Sequence, residues 1–402
     1  RGSPPSFVRR TCPEMTAKRM QQYGRIPVAA LLAACVALVG CASGPRPEAE
    51  EKKNVKKPAP RAFVADKASS LPSGPGAEGS PGDLVLQNAR TRFVVAGPDG
   101  PSAGHLLDAV TRGGQDRLRL IQACPGGETV RYGTVKVRSE GGKDEAVVVA
   151  RGRGGPHNAL QVRTRYRLLA EARALIATTT VKNTGKGCRW NLGLQDRLYA
   201  GRAVRFGEGV GLFPTGRSGG TDWMSFFADG QVWGIYARDR KRMRSSHWMG
   251  VSRLTYREAS LPPGGTATYS RCVFAARGDP CDVRRAVLGD MLEHSAQVRF
   301  RVGKKKRRVQ GAWVRLFLGR SLPTGLLRTG PEGVASCRLP DGRYRADLLA
   351  SGRSALPSPV PVRTGEGGQV TLSLPASRLS QQAIAAPSDA AVRLRHAGAW
   401  RG

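Results

Sequence analysis

The sequence is poor in acidic, aromatic and histidine side chains. Its 402 residues include 30 Asp and Glu against 65 Lys and Arg, aromatic residues make up 6%, and there are 5 His. None of its 8 Cys belongs to a CxxC pair, which argues against a thiol redox site or a structural zinc site. The spacing typical of a metal site, a phosphate-binding loop or a nucleophile elbow is also missing. The sequence therefore predicts neither a metal nor a cofactor.

Long apolar runs are missing as well. The run at residues 26–39 is 14 residues long, and a membrane-spanning helix needs roughly 20. Basic side chains precede this run at Lys18, Arg19 and Arg25, and a small residue and Cys41 follow it. This order of a basic segment, a short apolar segment and a small residue is typical of a secretory signal peptide.

The end of this segment, Leu38-Val39-Gly40-Cys41, resembles the lipobox of bacterial lipoproteins. The resemblance implies that a signal peptide at residues 15–41 is cut before Cys41, and that Cys41 then carries the lipid, including palmitate, that holds the chain on a bilayer. Ala42, at the place where Asp would resemble an inner-membrane retention signal, favours the outer membrane. The alternatives are a secretory signal cut at a small residue such as Ala33, or a buried core helix.

Three further segments are predicted to lie outside any folded domain. Residues 1–14 precede the first Met without an organised pattern, so we expect a non-native extension and a true start at Met15 or Met20. Residues 42–82 are rich in Pro, Gly and mixed charge, which predicts a disordered linker. Residues 376–402 are polar and rich in Ala, Ser and Arg, which predicts a disordered tail.

The formal net charge is +35, and Arg supplies 51 of the 65 basic residues. One interpretation is a protein that binds a polyanion such as nucleic acid, lipopolysaccharide phosphates or an acidic polysaccharide. The other, which we favour, is a solvated basic surface produced by Arg-biased codon usage. Secretion and the absence of an RNA motif, zinc finger or basic helix argue against nucleic acid as a partner.

Residues 83–296 show the period-2 alternation of strands with one buried face. The clearest cases are 160–168 and 175–181, where apolar and polar residues alternate. One helix is predicted at 282–294, with Asp282 as its N-cap. The fold class that follows is mainly β, with a large antiparallel β-sandwich and then a small one, after a signal peptide and a disordered linker.

The large unit resembles the β-sandwich of the galactose-mutarotase-like superfamily. The features that carry the resemblance are the long run of strands, the aromatic-rich middle at 190–236, and the turn Leu261-Pro262-Pro263-Gly264-Gly265 before a closing strand and a helix. The resemblance implies carbohydrate binding. The catalytic pattern of that family, a His pair with a Glu base, has no counterpart here, because His105, His157 and His247 stand in unrelated contexts.

Residues 297–375 resemble the carboxypeptidase regulatory-like or transthyretin-like β-sandwich. The matching turn and hairpin carry Thr329 and Gly333, then Leu339-Pro340 and Gly342 with Tyr344. That family is non-catalytic and braces or presents a neighbouring domain, so the resemblance implies the same for this unit.

Five Cys remain after the signal segment and the lipidated Cys41: Cys124, Cys188, Cys272, Cys281 and Cys337. An odd number in an oxidising compartment allows at most two disulfides and leaves one thiol over. The spacing of Cys272 and Cys281 would close a short loop.

The candidate ligand site is an aromatic and polar cluster. It comprises Arg217, Asp222, Trp223, Trp233 and Tyr236, because aromatic rings stack on sugar faces while short polar groups bond the hydroxyls. The alternative is that the two Trp belong to the sandwich core.

Two further sets of residues are weaker candidates. His247 beside Trp248 would be a general base or part of a sugar platform, and its alternative is an exposed loop. Asp196 and Glu208 would form a glycosidase acid and base pair only if the fold brought them together, and isolated acids in an Arg-rich sheet are usually ion-paired.

These features predict a non-catalytic, lipid-anchored envelope protein that binds carbohydrate or an anionic envelope polymer. The alternatives are a glycan-modifying enzyme, the N-terminal part of a longer extracellular hydrolase, or a purely structural envelope protein.

Overall fold

The computed structural model describes most of the chain after residue 57. The described residues are 58–116, 118–139, 144–201, 203–212, 218–228, 230–239, 242–248, 250–278, 280–288, 295–304, 307–319, 322–340, 342–350, 353–354, 358–362 and 369–372. The predicted extension, the signal segment with Cys41, the first part of the linker and the tail lie outside these residues. Within the described ranges, no helix is long and apolar enough to cross a membrane.

The described residues form 27 strands and one α-helix. In chain order the strands are β1 Arg61–Val64, β2 Leu84–Gln87, β3 Thr91–Val95, β4 Leu106–Thr111, β5 Leu120–Ala123, β6 Arg131–Ser139, β7 Glu145–Gly154, β8 Leu160–Leu169, β9 Ala174–Asn183, β10 Arg189–Tyr199, β11 Val204–Gly207, β12 Gly211–Leu212, β13 Ser218–Thr221, β14 Trp223–Ala228, β15 Gln231–Ala237, β16 Met243–Trp248, β17 Val251–Leu261, β18 Thr266–Arg277, β19 Ser295–Lys304, β20 Arg307–Arg308, β21 Trp313–Leu318, β22 Leu322–Arg328, β23 Val334–Pro340, β24 Gly342–Ala350, β25 Arg353–Ser354, β26 Ser358–Val362 and β27 Gln369–Leu372. The helix α1 is Pro280–Leu288.

Two nine-stranded antiparallel sheets form the large sandwich, which confirms the predicted fold class. Sheet 1 has the order β1-β2-β3-β4-β5-β10-β17-β16-β13, and sheet 2 has the order β12-β11-β14-β15-β18-β9-β8-β7-β6. The alternation predicted the strands because every second side chain of a strand faces the same side. In β8, for example, Leu160, Val162, Tyr166 and Leu168 point into the core between the sheets.

The turn at 262–265 passes the chain from sheet 1 to sheet 2. It joins β17 to β18, and Gly264 has φ of +76°, a left-handed conformation that favours glycine. This crossing places Tyr256 of β17 next to Tyr269 of β18, with the ring centroids 5.2 Å apart. It therefore fixes the geometry of the site described below.

The prediction of a disordered linker at 42–82 is wrong for its second half. β1 pairs with β2, and residues 65–82, which we call the strap, lie on the outer face of β2 to β4. Ala65 and Leu71 of the strap pack on the buried apolar side chains Val85, Val94 and Leu107. The few apolar residues of the strap suffice because the sheet supplies the other half of the contact.

Two carboxylates hold the strap by hydrogen bonds. Asp108 of β4 accepts hydrogen bonds from the backbone nitrogens of Glu78 (2.9 Å) and Gly79 (3.1 Å). Asp83 accepts hydrogen bonds from the backbone nitrogens of Ser80 and Gly97. These contacts satisfy backbone donors of a segment that has little regular secondary structure of its own.

The predicted helix exists but begins earlier than expected. α1 begins at Pro280, so Asp282 lies in its first turn and is not the N-cap. Proline suits the first helical position because its φ is already helical and its missing N–H would have no partner there. The predicted end at 289–294 lies outside the described residues.

The small sandwich has its own core and a covalent link to α1. Two sheets, one containing β20, β19, β23 and β27 and the other containing β22, β21, β24, β25 and β26, enclose apolar side chains such as Phe300, Leu316 and Leu339. A disulfide joins Cys281 of α1 to Cys337 of β23. The short loop that a bond between Cys272 and Cys281 would close is therefore not formed, because α1 packs against the small sandwich and Cys272 is a buried free thiol in β18.

Candidate functional site

The structure separates the aromatic residues of the predicted ligand site. Trp223 and Tyr236 face the outer side of sheet 2, whereas Trp233 faces the core between the sheets. Trp223 is 0% exposed and Trp233 is 2% exposed, so neither ring can stack on a sugar. Burial contradicts a binding role for both; Trp233 belongs to the sandwich core, whereas Trp223 packs in a separate cluster on the outer side of sheet 2.

The outer side of sheet 2 is covered at this point by α1 and the small sandwich. Val283 of α1 packs so close to Gly234 that a Cβ at residue 234 would lie 2.2 Å from its Cγ1. Trp313 of β21 lies against Phe227, with ring centroids 4.6 Å apart. The aromatic-rich middle of the chain therefore serves two packing surfaces, the core of the sandwich and its interface with the small unit.

The polar members of the predicted cluster do not form a site with these rings. Arg217 lies outside the described residues. Asp222 is half exposed and lies 3.4 Å from Arg242 in an ion pair. His247 is a strand residue and not part of an exposed loop: its ring is buried, and its Nδ1 lies 2.9 Å from the carbonyl oxygen of Val251. Burial lowers the pKa of His247, and the charge of Arg205 lowers it further.

Asp196 and Glu208 belong to two different networks, so they do not form a glycosidase pair. Glu208 accepts hydrogen bonds from Trp223 Nε1 at 2.7 Å and from Thr324 Oγ1 at 3.0 Å, and it lies 3.5 Å from Arg284 Nε. It therefore links the large sandwich to α1 and to the small sandwich. Asp196 is buried between the two sheets of the large sandwich.

The strongest candidate site is a cleft of about 350 Å³ on the side of the large sandwich. It lies beside residues 266–270 of β18, which extend past the part of β18 that pairs with β15. Three short segments line it, contributing Arg238, Asp239, Tyr256, Arg257, Thr268, Tyr269 and Ser270. The volume is at the lower end of the range of small-ligand sites, about 300–1,000 Å³.

A buried polar network supports the inner wall of this cleft. Tyr256 Oη donates to Asp196 Oδ2 at 2.8 Å, and Tyr269 Oη donates to Asp196 Oδ1 at 3.2 Å. Arg271 Nε lies 2.8 Å from Asp196 Oδ2, and the guanidinium lies 5.0 Å from the centroid of the Tyr269 ring. Arg271 also donates to Thr179. The orientation of both rings is therefore fixed before any ligand arrives.

Burial controls the ionisation of this network. Burial raises the pKa of Asp196, while Arg271 and the two tyrosine hydroxyls lower it. Burial lowers the pKa of Arg271, but Asp196 and the neighbouring tyrosines raise it, so that its net value is above the ordinary one. The pKa values of Tyr256 and Tyr269 are raised well above 10 by burial and then by the charge of Asp196. Both phenols therefore remain protonated and act as donors.

The cleft is suited to binding polar molecules. Arg257 and Arg238 are exposed cations, Asp239 is an exposed anion, and Thr268 adds a hydroxyl group. Among the described lining residues Asp239 is the one carboxylate, whereas hydrolysis of a glycosidic bond by the common route uses two. Within the described part of the chain, no group of three His, Cys, Asp or Glu side chains could hold a metal ion.

The sequence contained only a weak signal for this site. Tyr256 and Tyr269 stand in segments predicted as strands on either side of the 262–265 turn, so their proximity follows from the turn. No pattern in the sequence indicated that Arg238 and Asp239 would line the cleft. They follow β15, and they reach the cleft because β15 lies next to β18 in sheet 2.

Comparisons with known proteins show similarity of architecture alone. No protein-family profile and no characterised protein matches the sequence. Among solved structures, the chain is similar to a TPR-domain containing protein from Parabacteroides distasonis (TM-score 0.37, 11% identity, 54% of this chain and 54% of that chain). It is also similar to an alpha-galactosidase from Lactobacillus brevis (TM-score 0.37, 8% identity, 55% and 44%) and to a galactose mutarotase-like protein from Lactobacillus casei (TM-score 0.32, 8% identity, 48% and 100%). The chain thus spans about half the length of the first two proteins. The similarity concerns the fold, and no activity of these proteins is inferred for this chain.

Proposed function

We propose that this protein binds carbohydrate in the cleft beside Tyr256 and Tyr269, without acting on it. The observation that carries the proposal is the composition of the cleft, in which exposed cationic, anionic and hydroxyl groups surround the small accessible parts of two largely buried tyrosines. Sugars present rows of hydroxyl groups, and the exposed charged and hydroxyl side chains of the cleft can form hydrogen bonds with them. The small sandwich, which we expect to be of the carboxypeptidase regulatory-like kind, braces the large one through α1.

The binding proposal is tested by a glycan array probed with the full chain in detergent. We expect binding to a limited set of glycans, and we expect the Arg238→Ala variant to lose that set. A matched control is Arg163→Ala, which removes an exposed arginine from β8 on the outer face of sheet 2. Absence of binding to any glycan would refute the proposal, and conversion of a bound glycan into product would show an enzyme instead.

We also propose that the protein is held on a bacterial envelope membrane, most simply the outer membrane, by a lipid on Cys41. The support is the order of basic residues, short apolar run and Leu38-Val39-Gly40-Cys41 in the sequence. In cells grown with labelled palmitate, we expect label on the wild-type chain and none on Cys41→Ala. Cys35→Ala is the matched control and should keep the label, since Cys35 lies in the segment that is removed. Label on the Cys41→Ala variant would contradict the proposal.

A further inference from the structure

The outer face of sheet 1 has a covered half and an open half. The strap packs on β2 to β4. The other half, formed by β5, β10, β17 and β16, carries exposed side chains, and Trp248 at the end of β16 is 64% exposed. We call the outer face of these four strands the open half-sheet.

Strand register arranges the open half-sheet in two rows. Leu120 is paired with Tyr199, Tyr199 with Val251, and Val251 with Trp248, so these four side chains form one apolar row across four strands. Leu120, at one end of the row, also packs against the apolar cluster under the strap, so the uncovered part of the row is Tyr199, Val251 and Trp248. With strands about 4.8 Å apart, the row is about 14 Å long. Tyr199 and Val251 are half-buried, so the row is a flat surface that ends in the projecting ring of Trp248.

The second row lies two residues along each strand, about 7 Å away. It consists of Gln122, Arg197, Arg253 and Ser246, again paired strand by strand. Arg197 and Arg253 therefore stand directly opposite each other on the same face. Like charges in this position destabilise a sheet. Among the described residues, no Asp or Glu forms an ion pair with either arginine, although Arg244 on the same face is paired with Glu258.

We propose that the open half-sheet binds an acidic polysaccharide, with sugar rings on the apolar row and carboxylates between Arg197 and Arg253. A bound carboxylate would remove the repulsion between the two guanidinium groups and accept charge-assisted hydrogen bonds from them. The parallel arrangement of an apolar and a cationic row fits a polymer in which every unit has a ring face and a carboxylate. The site is separate from the cleft, and the proposal does not depend on carbohydrate binding there.

Other anionic partners fit the open half-sheet less well. A nucleic-acid surface engages several phosphates along a basic groove. This flat face presents the pair Arg197 and Arg253: neither has a carboxylate partner among the described residues, and Arg197 also donates a hydrogen bond to the carbonyl oxygen of Gly127. A membrane surface would need a larger apolar area than one projecting ring and three lower side chains. The test below therefore includes a nucleic acid and a membrane surface as competing partners.

The test measures equilibrium binding of the full chain in detergent to polygalacturonate at physiological salt, by isothermal titration. We expect binding, and we expect about tenfold weaker binding to the methyl-esterified, neutral polymer because charge-assisted hydrogen bonds are lost. Arg253→Ala and Trp248→Ala should each weaken binding to the acidic polymer about tenfold. Arg253, Trp248 and the control residue Arg163 are all exposed, so the three variants should keep the circular dichroism spectrum of the wild type.

The matched control is again Arg163→Ala. Arg163 of β8 also stands opposite another arginine, Arg151 of β7, on the outer face of the other sheet, and β8 bears no Trp. It should change the affinity less than twofold. An equal loss in Arg163→Ala would overturn the proposal in favour of diffuse attraction by the net charge, and no binding to polygalacturonate would overturn it outright.

Two competing partners are tested in the same series. Binding of a single-stranded oligonucleotide, or of phosphatidylglycerol vesicles, with the same dependence on Trp248 and Arg253 would overturn the choice of a polysaccharide. Arg238→Ala in the cleft should leave polygalacturonate binding unchanged. A failure of the cleft proposal and a failure of this one are therefore distinguishable.

Discussion

Replacing Arg271 by Met should strongly destabilise the large sandwich. Arg271 and Asp196 have side chains 2% and 0% exposed, and their closest atoms are 2.8 Å apart. Methionine keeps most of the apolar stem but removes the cation, so Asp196 is left in the core with the hydroxyls of Tyr256 and Tyr269 as its partners. Removing one partner of a buried ion pair typically costs about 3–5 kcal/mol. We expect a loss of unfolding free energy in that range.

The double variant Asp196→Asn with Arg271→Met separates the charge from the packing. It removes both charges, and the Asn side-chain oxygen can still accept a hydrogen bond from one of the tyrosines. We therefore expect the double variant to recover at least half of the stability that Arg271→Met loses, as buried pairs replaced together are often near neutral. A coupling of this size is expected only for residues in direct contact.

The assay is urea-induced unfolding of the full chain in detergent, followed by tryptophan fluorescence. Trp233 lies in the core of the large sandwich and reports on its unfolding directly. The reasoning would be refuted by a loss below about 1 kcal/mol for Arg271→Met, the size expected of an exposed ion pair. It would also be refuted if the double variant lost as much stability as Arg271→Met and Asp196→Asn alone lose in sum.

Three further predictions concern pH, the disulfide and the interface between the sandwiches. Burial lowers the pKa of His105 from 6.5 to about 4, so between these pH values the unfolded chain carries a proton on His105 that the folded chain lacks. The contribution of His105 to stability should therefore fall by up to about 3 kcal/mol as pH drops from about 6.5 to about 4, measured in urea titrations as the difference in pH slope between the wild type and His105→Gln. Loss of the Cys281–Cys337 disulfide, which closes a loop of 56 residues, should cost up to about 4 kcal/mol. Cys337→Ser should therefore melt at a lower temperature than the wild type, and reductant should lower its melting temperature less than it lowers that of the wild type. Glu208→Ala leaves Trp223 Nε1 and Thr324 without their acceptor and should cost about 1–3 kcal/mol, whereas Glu208→Gln should cost less; equal losses would contradict the hydrogen-bonding role of Glu208.

The strands of the large sandwich were predictable because their core is built by simple alternation. In β8 and β9 the apolar residues recur at every second position, and these are the side chains that fill the space between the sheets. The strap escaped prediction because its composition resembles that of a linker. Leu71 is buried only through contact with a face of β2 to β4 that is itself apolar, and composition alone does not reveal such a contact.

The predicted ligand site failed because sequence does not show what covers an aromatic face. β14 sends Trp223 to the outer side of sheet 2, as an exposed platform would require. That side is covered by α1, which follows more than fifty residues later, and by the small sandwich beyond it. The cleft is the reverse case, a site that the sequence did not predict. Tyr256 and Tyr269 are ordinary strand residues in the sequence, and the 262–265 turn brings them together in the fold.

The most direct test of the central claim is a titration of the best glycan from the array against cleft variants of the full chain. Arg238→Ala and Thr268→Ala each remove one polar contact from the wall of the cleft and should weaken binding about tenfold. Trp248→Ala on the open half-sheet should leave the affinity for that glycan unchanged. Unchanged affinity in both cleft variants would contradict the assignment of the carbohydrate site to the cleft beside Tyr256 and Tyr269.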